Sequence, residues 1–171
     1  MIDPAHELKV RAEILQKRAA AGDEGARARL GALAAEPDKV QRKHCLAVVA
    51  REAGFASWEH ALRVFRGDPA ERDLGTLLEG RETRGTLNAW YADHAEARAH
   101  LAERRARGEE VFLLGYKRQF VVVELPYVAA LGLDPADPDW RAIGFDWGRP
   151  RDAEARARLY GKRLAALREA P

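Results

Sequence analysis

The chain has 171 residues, 47% hydrophobic and 33% charged, enough for one ordinary domain or two small ones. Its 29 basic and 27 acidic residues leave a net charge of +2, so any nucleic-acid partner must be held by a local basic surface and not by bulk charge. The single cysteine, Cys45, excludes an internal disulfide and a multi-thiolate zinc site and fits a reducing compartment; with no apolar stretch of signal-peptide or membrane-span length, the expectation is a cytoplasmic protein without a membrane partner.

The first third reads as helices. Asp3-Pro4 is a cap followed by a first-turn proline, and Leu8, Ala12, Leu15 and Ala19 then recur on one face. Gly22-Asp23 ends that helix and caps a second, whose stripe is Ala26, Leu30 and Leu33 before Pro37 interrupts. Asp38 caps a third, in which Cys45, Leu46, Val49, Ala50 and Ala53 share a face while Lys43, His44 and Arg51 point away, and Gly54 ends it. Ser57 caps a fourth. Its apolar side is Trp58, Ala61, Leu62, Val64 and Phe65, and its polar side is Glu59, His60, Arg63 and Arg66.

Two short helices meeting at a glycine corner have the layout of a helix-turn-helix, and the residues placed to touch nucleic acid are Lys43, Arg51, His60, Arg63 and Arg66. Glu59 and Arg63, four apart, equally make a surface ion pair. The stretch "VAREAGFASWEHALRVF" resembles the second helix-turn-helix of AraC-type transcription activators at Gly54-Phe55, Arg63 and Phe65, with Ala61 where that family has a large aromatic residue. Over residues 5 to 66, "AAGDEGARARLGAL" followed by "AVVAREAGFASWEHAL" resembles a small helical module with an "AREYGF-SW" signature, found in uncharacterised bacterial proteins and beside ankyrin-type repeats. That second resemblance implies a structural corner: Gly54 for the turn, Ser57 for the cap, Phe55 and Trp58 packed beneath.

From Gly67 to Gly85 glycines and charges dominate, with one apolar contact at Leu74, Leu77 and Leu78, which reads as a linker. The second part changes period. "TLNAWY" is a short strand, Asp93 to Gly108 a polar helix, and "EVFLLGY" and "QFVVVEL" two strands joined at Lys117-Arg118. Short helices follow at Pro126 to Leu131 and from Asp137-Pro138. Asp152 then caps a terminal helix with the stripe Ala153, Ala157, Tyr160, Leu164 and Leu167, and Arg156, Arg158, Lys162 and Arg163 on its other faces. The expected fold is α+β: an all-α module over 1–66, a linker over 67–85, and a small α+β domain with a short antiparallel sheet over 86–171.

Chemistry is sought in the second part. "DPADPD" lacks the glycine and terminal glutamate of a calcium loop and reads as a capped turn. His94 and His100 stand six apart, too far round one helix to share a metal. Cys45 reads as a buried structural thiol. If "GYKRQF" adjoins "GFDW", then Tyr116, Lys117, Arg118 and Gln119 face Asp146 and Trp147 across a cleft suited to a small anion; the simpler arrangement pairs Asp146 with Arg149 or Arg151 and leaves the hairpin cations solvated. The whole second part also resembles other uncharacterised bacterial proteins of similar size, with no activity implied. Three function classes follow in order: a regulatory or adaptor protein binding nucleic acid through the first part, a protein-interaction module, and a small-anion binder or enzyme using the second part. No catalytic constellation, metal site or cofactor is expected.

Overall fold

The computed structural model describes residues 3–31, 39–79 and 88–169. The predicted elements at Leu33, Pro37 and Asp38, and the glycines at 80 and 85, lie outside these. Four helices come first: α1 (Pro4–Ala20), α2 (Glu24–Leu30), α3 (Arg42–Glu52) and α4 (Trp58–Arg66). Then follow β1 (Ala89–Tyr91), α5 (His94–Ala106), β2 (Val111–Tyr116), β3 (Gln119–Glu124), α6 (Leu125–Ala130), α7 (Pro138–Ala142) and α8 (Ala153–Glu169). The chain is an α+β protein.

Local chemistry accounts for most boundaries. Asp3, Asp23, Ser57, Asp93, Asp137 and Asp152 each accept a main-chain N–H of the turn that they open, which satisfies donors that the helix leaves unpaired. For α3 the N-cap is Gln41, whose N–H donates to His44 Nδ1 at 3.1 Å. The strands form an antiparallel sheet in the order β1-β3-β2, with Leu113 opposite Val122 and Trp90 opposite Val121. Alternation divides its side chains. Val111, Leu113 and Val122 meet Ala97 and Leu101 of α5, while Phe112, Leu114, Val121 and Val123 enter a larger core.

That larger core runs from Leu8 of α1 through Cys45, Phe55 and Phe65 to Trp140, Trp147, Tyr160 and Leu164 without a break. Part of the expected linker, from Leu74 to Leu78, is packed into it. Leu77 and Leu78 are buried, Thr76 N–H donates to the Gly54 carbonyl at 2.8 Å, and Leu74 and Gly75 exchange two main-chain hydrogen bonds of 2.8 Å with Lys117. The segment is a strap that ties the glycine corner of the first part to the hairpin of the second.

The buried stripe of α8 differs from the predicted one. Ala153 is exposed, and Ala155, Arg156, Leu159, Tyr160, Arg163 and Leu164 are buried. Arg156 donates to the carbonyls of Val64 (3.0 Å) and Trp147 (3.2 Å), and Arg163 to those of Leu77 (3.1 Å) and Leu131 (2.7 Å). Each guanidinium therefore bridges one carbonyl before Ala89 and one after Glu124. The exposed edge of α8 carries Lys162, which with Arg158 meets Asp137 and Asp139 of the "DPADPD" turn. Those contacts hold the Asp139 carboxyl below its usual range, chiefly through the Arg158 hydrogen bond.

Replacing Arg163 by Met keeps the length of the side chain but strips the Leu77 and Leu131 carbonyls of these donors. A buried acceptor left unpaired costs roughly 1–3 kcal/mol, partly offset by removing a buried charge. Arg163→Met is expected to lower stability in urea by about 2 kcal/mol; an unchanged or higher midpoint would mean that burying the cation costs as much as its bonds contribute.

Candidate functional site

Past α7 the chain reverses through Gly144 (φ +69°) and Phe145 (φ +58°). A left-handed phenylalanine costs roughly 1–2 kcal/mol of backbone strain, and three main-chain bonds hold it. Phe145 N–H donates to the Trp140 carbonyl at 2.8 Å, Leu113 N–H to the Phe145 carbonyl at 2.9 Å, and Trp147 N–H to the Leu113 carbonyl at 2.8 Å. Asp146 thus forms a parallel bridge beside Leu113. Neighbouring side chains on an extended segment point oppositely, which separates Trp147 from Asp146.

Trp147 enters the core at 0% exposure, between Trp140 and Tyr160 at ring separations of 5.3 and 4.9 Å. Asp146 turns to α5 and is 1% exposed. Its Oδ2 lies 2.9 Å from both His94 Nε2 and Arg98 Nη1, and its Oδ1 accepts the Arg149 N–H at 3.0 Å. A carboxylate so buried is tolerable only with partners of this kind.

Outward from Asp146 lies a cleft of about 240 Å³. Arg98, Leu101 and Arg105 of α5 form one wall, and Arg141, Phe145 and Arg151 the other. Four arginines and no acid are among the described residues lining it. The Arg105 guanidinium rests on the Phe145 ring, its carbon 3.3 Å from the ring centre, and donates to the Val111 carbonyl at 3.0 Å. Burial draws this guanidinium below its ordinary value; Glu110 opposes the shift and the nearby Arg141 cation adds to it. Gly144 admits Arg151 closely, since a Cβ there would stand 3.0 Å from Arg151 Nε.

The predicted hairpin cleft does not form from the residues named for it. Lys117, Arg118 and Gln119 are exposed at the β2–β3 turn. Lys117 (φ +50°) lies with its ammonium 5.4 Å from the Tyr116 ring, and its main chain is committed to the strap. Asp146 belongs to α5, and Trp147 to the core, so neither forms a wall for that turn. The simpler pairing of Asp146 with Arg149 holds through the Arg149 backbone only; its side-chain cation is Arg98.

In the first part Lys43, Arg51, Arg63 and Arg66 are exposed. His60 is not. It is 5% exposed, its Nδ1 accepts the Ala56 N–H at 3.0 Å, and its Nε2 therefore donates to the Asp73 carbonyl at 2.7 Å, because the strap covers that side of α4. Arg63 pairs with Glu71 of the strap at 2.9 Å, and Arg51 Nε donates to the Ala47 carbonyl. Gly54 (φ +88°) meets Thr76 so closely that a Cβ would stand 2.5 Å from Thr76 Oγ1 and 2.9 Å from Leu77 N. The glycine corner is required by this packing.

Compared with known proteins, the chain matches no family model, no curated protein and no solved structure. Of the cleft residues, Arg98, Arg105 and Arg141 are absent from the sequence-based expectations, and Arg151 enters them only as a partner for Asp146. A signal for two of them exists: Arg98, Leu101 and Arg105 recur at spacings of three and four, one face of a helix. Nothing local connects them to Arg141 or Arg151.

Asp146→Ala would leave Arg98 and His94 without their shared carboxylate and release the Arg149 amide. Given charge-assisted bonds of roughly 1.5–3 kcal/mol each and an Arg98 partly open to water, a loss of about 2–4 kcal/mol in urea denaturation is expected. A loss within 0 to ~0.5 kcal/mol, the range of ordinary surface changes, would show that Asp146 does not organise the turn.

Proposed function

We propose that the protein binds a small anion in the arginine-lined cleft between α5 and the Arg141–Arg151 segment. The observation that carries this reading is that four arginines line one cleft, of which, among the described residues, only Arg98 forms an ion pair, with Asp146 buried behind the lining. Uncompensated cations held close together disfavour one another, and an anion relieves that cost. Guanidinium forks suit carboxylate and phosphate oxygens. The volume is below the roughly 300–1,000 Å³ of sites for drug-sized ligands, which favours a small one. Among the described residues lining the cleft no nucleophile accompanies the arginines, and the reading is binding.

Nucleic-acid binding through α3 and α4 draws less support from the geometry. Lys43, Arg51 and Arg66 are exposed, but His60 is covered and Arg63 is tied to Glu71. A protein partner is favoured by one observation: Trp90 on β1 is 44% exposed and stands edge-on to Tyr116 at 5.6 Å. No described helix is long and apolar enough to cross a membrane.

Calorimetric titration with inorganic phosphate and with citrate is expected to show saturable binding that weakens with added salt. Because Arg141 is exposed and repels its neighbours in the free protein, Arg141→Ala should not lower the unliganded melting temperature while reducing affinity about tenfold, as expected for one lost charge-assisted hydrogen bond. No binding by any anion, or equal binding by the variant, would remove this cleft as the site.

A further inference from the structure

We infer that the ligand of this cleft is a phosphate monoester of a small organic group; the inference rests on the anion-binding reading above. The charge count selects the head group. Asp146 already balances Arg98, which leaves Arg105, Arg141 and Arg151 facing the same space, with Glu110 acting on Arg105 from outside the lining. Among the described residues, Arg141 and Arg151 form no ion pair. A carboxylate brings one charge and two acceptor oxygens, whereas a phosphate monoester brings about −1.5 to −2 at neutral pH and three acceptor oxygens.

The geometry favours one head group at the arginine-rich end. Arg105 is held by the Phe145 ring and by the Val111 carbonyl, so less of its freedom is lost on binding. Arg151 reaches in over Gly144, where any side chain would displace it. Beside these cations the lining is apolar at Ala102, with Leu101 almost buried beneath it, a surface that inorganic phosphate does not use and an ester's organic group does. At about 240 Å³ the cleft is smaller than the roughly 300–1,000 Å³ of sites for drug-sized ligands and suits a small ester.

The test is competitive calorimetry on the full chain at one pH with five probes: phenyl phosphate, phenyl sulfate, benzoate, inorganic phosphate and a phosphoserine hexapeptide. Phenyl phosphate is expected to bind about tenfold or more tightly than each of the others, in keeping with one further charge-assisted contact or one buried apolar group. Arg151→Gln should erase the preference for phenyl phosphate over phenyl sulfate while leaving the unliganded melting temperature unchanged. Equal binding of phenyl phosphate, phenyl sulfate and benzoate would overturn the monoester assignment and leave the anion cleft standing. Tighter binding of the phosphopeptide would overturn it in favour of a protein partner. Failure of all five to bind would overturn the cleft reading itself, and with it this inference.

Discussion

Two guanidiniums inside the core set the architecture. Arg156 and Arg163 lie two turns apart on α8, 2% and 3% exposed, and both donate to main-chain carbonyls that α8 itself does not own. A permanently charged group this deep is costly unless hydrogen-bonded, so folding of α8 requires that Val64 and Leu77 on one side, and Trp147 and Leu131 on the other, be in place together. The aromatic chain Phe55, Phe65, Tyr160, Trp147 and Trp140, joined at ring separations from 4.9 to 5.3 Å, follows the same line. The carbonyl bonds of the two cations and apolar burial thus demand the same arrangement, although Arg156 Nε and Trp147 Nε1 are buried without a partner among the described residues.

The cleft inherits its geometry from this arrangement. Arg156 holds the Trp147 carbonyl and Leu113 accepts from the Trp147 amide, so the short segment from Gly144 to Trp147 is anchored at its last residue by both of that residue's main-chain groups. Asp146 is thereby pressed against α5, where it orients Arg98, and Phe145 is kept left-handed beneath Arg105. Strain of this kind persists only where surrounding contacts over-determine it. Its position at the floor of an arginine-lined cleft is what ties the fold to the proposed function.

The sequence was most legible where the physics is local. Capping by Asp3, Asp23, Ser57, Asp93, Asp137 and Asp152 involves residues two or three positions away, and the β2–β3 hairpin announces itself through β-branched runs on either side of a two-residue turn. It was least legible where a polar side chain is buried by a distant partner. His60 reads as a surface residue of α4 until the strap carbonyl of Asp73 is brought against it. Arg156 and Arg163 read as surface decoration because helical periodicity assigns arginine to the polar face, and the carbonyls that accept from them are remote in the chain. Asp146 is paired by the sequence reading with the hairpin turn or with Arg149 or Arg151, whereas its side-chain partners His94 and Arg98 stand on α5, between β1 and β2. The arginine cleft itself gathers residues from 98 to 151, and no spacing rule spans that interval.

Equilibrium unfolding tests most directly whether the chain is one unit organised around α8. With Trp58 and Trp90 replaced by Phe, fluorescence reports Trp140 and Trp147 alone, while far-ultraviolet circular dichroism follows all the helices, including α1 to α4. The account predicts a single transition in urea with coincident midpoints from both signals. Two separated transitions, with helix content lost before or after the Trp140 and Trp147 environment, would contradict it and make the first four helices a unit that folds without α8.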